Sequence, residues 1–173
     1  MILESNLQMG GRCRMTRREF IAILCGAAVW PRAVRAEGGS QSLIPLLIDL
    51  PGWTGSEPGS TERERKGRRV LTAGRSYLRG DARFNALITS GTAADAADRK
   101  GNVYLNFRGA QKSTSSIDGF EVMTESTPVF VLIAITLGPD AMFNLFFNNV
   151  AVDEAMAIAR MFDWKSIQAH VNQ

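Results

Sequence analysis

The chain has 173 residues, with 20 Lys+Arg against 17 Asp+Glu, two cysteines and one histidine. That length is enough for one domain with a real core. Both cysteines precede residue 37, and the one histidine beyond it is too few for the usual structural or catalytic zinc sites. The lone His170 lies near the end of the chain, a poor place for the rigid base of a Ser-His-Asp triad.

Taken in order, Met1 to Arg14 shows neither hydrophobic period nor helix cap. Met15 to Ala36, MTRREFIAILCGAAVWPRAVRA, is different. Thr16-Arg17-Arg18-Glu19-Phe20-Ile21 sets two arginines before an apolar run from Phe20 to Trp30, which is too short to span a bilayer. Small residues at Val34 and Ala36 follow, in the pattern of a signal peptidase site. The segment resembles the signal peptide of the bacterial twin-arginine export pathway, whose pattern is Ser/Thr-Arg-Arg-x-Phe-Leu. Here Ile21 stands for the Leu and Ala22 for a Lys that often follows. The resemblance implies recognition of Arg17, Arg18 and Phe20 by the twin-arginine translocase. It also implies cleavage after Ala36 and a product in the periplasm or secreted from the cell. Cys25 lacks the Leu at −3 and the small residue at −1 of a lipoprotein anchor. On this reading residues 1–14 are an extension or a misassigned start, 15–36 the export signal, and 37–173 a single α+β domain.

Subtracting the signal changes the chemistry of the chain. Arg12, Arg14, Arg17, Arg18, Arg32 and Arg35 precede residue 37, as do only Glu4 and Glu19; 14 basic and 15 acidic residues remain, a net charge near −1. Both cysteines, Cys13 and Cys25, go as well. The basicity belongs to the signal, so a nucleic-acid role loses its main support. The product must be held by packing alone.

After the cut, Leu43–Leu50 (LIPLLIDL) is apolar enough for a buried strand, with Pro45 confining it to an edge. Pro51-Gly52-Trp53 turns the chain, with Trp53 expected to plug the core. Residues 54–67, rich in Gly, Ser, Pro and charge, read as a mobile loop ending in a cluster of arginines and Lys66. Val70–Leu78 and Ala82–Thr89 flank Arg79-Gly80-Asp81 as a hairpin, and Ala82, Phe84, Ala86 and Ile88 alternate onto one face. Thr92–Arg99 reads as a short helix and Asn102–Arg108 as a strand. Lys112–Ser116 is a polar turn or edge, and Phe120–Thr124 a further strand. Val129–Leu137 (VFVLIAITL) has the unbroken apolar, β-branched character of a central strand covered on both faces. A turn at Pro139-Asp140 leads into the strand Ala141–Asn149. Val152–Phe162 is an amphipathic helix, and Asp163 caps a last one carrying Trp164, Ile167 and Val171.

Asp81-Ala82-Arg83-Phe84-Asn85 returns as Asp140-Ala141-Met142-Phe143-Asn144, an offset of 59 residues. The echo suggests two ββα units. The fold expected is α+β: a mainly antiparallel sheet of five to seven strands with helices packed on one face.

No residue is singled out as catalytic, cofactor-binding or metal-ligating. Carboxylate pairs exist at Asp118 with Glu121 and at Asp153 with Glu154, in positions that suit turn and helix-dipole roles. The expectation is an exported, non-enzymatic binding or interaction protein without cofactor, nucleic-acid partner or transmembrane segment in the mature chain. Its ligand is unnamed, and a lipid-like or protein partner would meet the sheet, residues 54–67 or the hairpin 129–149. The alternative is a periplasmic hydrolase using carboxylates as acid and base.

Overall fold

Every strand runs antiparallel to its neighbours in the computed structural model, which describes residues 39–65, 67–91 and 109–172. The strands are β1 (Thr54–Gly55), β2 (Gly59–Arg65), β3 (Arg68–Arg79), β4 (Ala82–Ser90), β5 (Gln111–Ile117), β6 (Phe120–Ser126), β7 (Phe130–Gly138) and β8 (Ala141–Asn148). They form one sheet in the order β1-β3-β4-β8-β7-β6-β5, with β2 sharing the outer edge of β3 with β1. A 3-10 helix (Ser40–Leu46) precedes them, and helices α1 (Val152–Ala159) and α2 (Trp164–Val171) follow. The coarse expectation of an α+β fold on an antiparallel sheet holds. The strand count does not: eight are present among the described residues, against five to seven expected.

The excess comes from residues 54–67. They contain β1 and β2, where a loop was expected. No apolar face announces β2, because its outer half places charged residues on both sides, and the hydrophobic period of two is therefore invisible. Leu43–Leu50 departs in the other direction. Its first part is the 3-10 helix with Pro45 inside it, and Leu43, Leu47 and Leu50 are buried at helical spacing. A short apolar run does not by itself separate strand from helix. The amphipathic helix expected over 152–162 stops at Ala159, although Phe162 beyond it is still buried. The polar stretch around Lys112–Ser116 is the exposed edge strand β5, where Ser, Thr and Lys blunt the edge. The helix expected at 92–99, the strand at 102–108 and the whole export segment lie outside the described residues.

The centre of the sheet follows its sequence closely. Five consecutive residues of β7, Val131 to Ile135, are buried, as a strand covered on both faces requires. Phe84, Ala86 and Ile88 of β4 lie opposite Phe147, Leu145 and Phe143 of β8. This face meets Leu43, Leu47, Ala155, Ile158, Phe162, Trp164 and Ile167 from the helical elements in one core. Its middle is aromatic: Tyr77 stacks on Phe84 at 4.4 Å and Phe84 on Phe147 at 4.8 Å, and Trp53 meets Phe84 edge-on at 4.9 Å. Trp53 is a plug, as expected, and the Arg79 guanidinium lies 4.3 Å from its ring centroid. Arg79 also pairs with Glu154, which ties the β3–β4 hairpin to α1.

On the opposite face Leu132, Ala134 and Met142 are buried with two polar residues, Asn144 and Glu125. Glu125 lies opposite Lys112 of β5, whose Nζ is 3.6 Å away. Among the described residues the buried Asn144 Oδ1 has no hydrogen-bond partner.

Arg75 is the least anticipated member of the fold. Its side chain is mostly buried, donates to the carbonyls of Leu47 and Ser56 at 2.8 Å each, and pairs with Asp49. It thereby fastens residues 47–56 across β3. Gly55 leaves room for it, since a Cβ there would meet the Arg75 guanidinium at 2.5 Å and push it aside.

Tyr77 is fully buried and its hydroxyl donates to the Ile48 carbonyl at 2.8 Å. Burial pushes its pKa up from 10 to about 12. The fold therefore favours the neutral phenol. Its contribution is whole below the unfolded value of about 10 and is lost as pH rises toward 12. Tyr77→Phe should cost about 1 kcal/mol at neutral pH. Between pH 8 and pH 11 the parent should then lose roughly 1 kcal/mol more than the variant. Urea denaturation at the two pH values checks this.

Candidate functional site

The sequence Arg160-Met161-Phe162-Asp163 forms the elbow between α1 and α2. Asp163 makes that elbow sharp, because its carboxylate caps α2: the Ser166 amide donates to Oδ1 at 3.0 Å and the Ser166 hydroxyl to Oδ2 at 2.7 Å. These bonds hold the Asp163 carboxyl below its usual pKa. Phe162 turns inward, edge-on to Phe143 at 5.0 Å. The Trp164 indole also turns inward and donates to the Ala159 carbonyl at 2.7 Å.

Across from the elbow stands the β5–β6 turn. Ile117 pairs with Phe120, and the two residues between them, Asp118 and Gly119, have φ of 53° and 88°. Positive φ at both positions is what a tight Asp-Gly hairpin turn needs. The turn aims Phe120 at Trp164, ring centroids 5.7 Å apart and nearly perpendicular.

Between turn and elbow lies a pocket of about 220 Å³. Phe120, Phe162 and Trp164 supply its apolar lining, and Asp118, Arg160, Asp163 and Lys165 its charged groups. Arg160, Lys165 and Asp118 are exposed. Asp163 is already engaged as the helix cap. The volume is below the roughly 300–1,000 Å³ of drug-sized sites. The arrangement suits a small molecule with an apolar body and an acid group met by guanidinium and ammonium.

The carboxylate pairs named from the sequence do not converge. Asp118 reaches the pocket, whereas Glu121 is exposed on the face of β6 opposite to Phe120. Glu154 is paired with Arg79, and Asp153 is exposed in the first turn of α1. His170 is exposed, its Nδ1 2.8 Å from the Ser166 carbonyl oxygen. The hairpin 129–149 is central core and offers little docking surface. Among the described residues no group of three or more His, Cys, Asp or Glu is placed to hold a metal, and no helix is long and apolar enough to cross a membrane. Arg17, Arg18, Phe20, Val34 and Ala36 lie outside the described residues.

Sequence reasoning missed Arg160, Lys165 and the pocket. The Asp118-Gly119 turn and the Asp163 cap were both legible, but their juxtaposition depends on how α2 lies against β6. Comparison with family models, with curated proteins and with solved structures finds no match for this chain.

Proposed function

We propose that the protein is an exported, non-enzymatic binding protein whose elbow pocket takes a small organic acid. The observation that carries this reading is the state of Asp163 beside Arg160 and Lys165. A hydrolase working by carboxylates needs an acid whose pKa is raised toward neutrality. Asp163 is held down by Ser166, as a fixed ionised cap. With Asp163 committed to its cap, the pocket offers a ligand an aromatic lining, the two cations Arg160 and Lys165, and the carboxylate of Asp118 at its turn side. Export is supported by the resemblance of residues 15–36 to a twin-arginine signal, with the translocase and signal peptidase as partners in transit.

The experiment is native mass spectrometry of protein recovered from the periplasm, followed by ligand-observed NMR against a panel of small carboxylates. A co-purifying or binding acid is expected. Arg160→Gln with Lys165→Gln should weaken its capture by roughly tenfold or more, the worth of one or two charge-assisted contacts. A bare protein inert to the whole panel counts against the pocket.

We further read the two hairpins as copies of one ββα unit. Ala86 of β4 lies directly opposite Leu145 of β8, and these residues are themselves 59 apart, the offset of the sequence echo. A local two-fold axis through that pair carries Phe84 onto Phe143 and the turn Gly80-Asp81 onto Pro139-Asp140. Under the same offset α1 corresponds to residues 93–100, outside the described residues.

A further inference from the structure

We infer that the elbow pocket takes a small zwitterionic amino acid, its carboxylate on the Arg160 side and its ammonium on Asp118. The inference rests on the pocket being the binding site proposed above, and it narrows the kind of acid that enters. The charged groups around the pocket stand in opposite signs on opposite walls. Arg160 and Lys165 lie on the elbow, and Asp118 lies on the β5–β6 turn across from it. Among the described residues none of these three closes an ion pair. Asp163 is already engaged: its carboxyl is held down first by its Ser166 bonds and last by the charge of Lys165. Arg160 and Asp118 are therefore the opposite charges that the pocket holds ready for a ligand.

Two acidic and two basic side chains line the pocket, so its charges sum to zero. A bare acid that reaches Arg160 also brings its negative charge toward Asp118, which counts against it. An amino acid meets both walls at once. Its carboxylate suits the planar fork of Arg160, and its ammonium the Asp118 carboxylate. Either contact alone is weak at an exposed position. Both together select a ligand that carries both charges. The apolar body meets Phe120 and Trp164, whose rings stand nearly perpendicular with centroids 5.7 Å apart. At about 30 Å³ per water, a pocket of about 220 Å³ holds roughly seven water-sized groups. That is the scale of one amino acid with a short branched side chain, and too small for a peptide.

Isothermal titration calorimetry of the full chain tests it with three probes of one shape: leucine, isocaproate, which lacks the amine, and isopentylamine, which lacks the acid. Leucine should bind about tenfold or more tighter than either of the others, the worth of one charge-assisted contact. Asp118→Asn should erase the margin over isocaproate, weakening leucine and leaving isocaproate as tight or tighter. The variant should keep the turn, since Asn-Gly accepts the same pair of positive φ values. Arg160→Gln, on the other wall, should weaken leucine and isocaproate alike by about tenfold and leave isopentylamine unchanged. Isocaproate binding as tightly as leucine would overturn the inference and leave the acid pocket standing. A leucine margin that survives Asp118→Asn would do the same. No binding by any of the three probes would remove the inference and the pocket together.

Discussion

Phe84→Ala should destabilise the fold by about 3–5 kcal/mol, the range for removing a fully buried ring from a packed core. Phe84 is the hub of the aromatic cluster, since Tyr77, Trp53 and Phe147 all contact it within 5 Å between centroids. It is also wholly buried, on the strand that joins the two hairpins. Its loss removes three ring contacts worth about 0.5–1.5 kcal/mol each beyond simple burial, although these are not additive with the cavity cost. The expected fall in Tm is on the order of 10 °C. Arg83→Ala, one residue away and exposed, should change stability by no more than about 0.5 kcal/mol. Thermal denaturation of the two variants beside the parent tests the claim. Similar losses at Phe84 and Arg83 would mean that β4 does not hold the core as described.

The reason this prediction is available from sequence at all is the clean alternation at 82–88. Where one face of a strand meets the core and the other meets water, hydrophobicity writes the register directly. The same physics made the central strand at 130–138 legible, through unbroken burial instead of alternation. It failed at β2, where neither face of the outer half is apolar, and at Leu43–Leu50, where burial alone does not choose between strand and helix. The candidate pocket was hidden for a different reason. Asp118 and Arg160 are separated along the chain by three strands and a helix, and nothing in either stretch signals the other. The charged residues of β2 and β3 lay between these cases. They were visible as a cluster, but their pairing, Glu64 opposite Arg69 and Arg65 opposite Arg68, is set by a register that the sequence does not show.

Replacing Arg17 and Arg18 together by Lys should leave the precursor in the cytoplasm, with near-complete loss of exported product. The substitution is chosen because it keeps both positive charges. A route that needs only a basic segment before an apolar run would still accept the variant. A route that reads two planar guanidiniums would not, since Lys offers a point charge in place of a rigid fork of donors. Fractionation and immunoblotting separate the outcomes, and amino-terminal sequencing of the parent's exported form should begin at Glu37. Unchanged export would remove the twin-arginine route and leave secretion by another path. The fold gives this test a second arm. The resemblance implies export of an already folded protein, and β4 can pair with β8 only after residues 141–148 have been made. The aromatic core therefore closes late, once nearly the whole chain is available. Phe84→Ala, which weakens that core, should then reduce export of a chain whose signal is intact. Export of Phe84→Ala at the parent's level, with its stability loss confirmed, would uncouple folding from translocation and argue against the folded-cargo route.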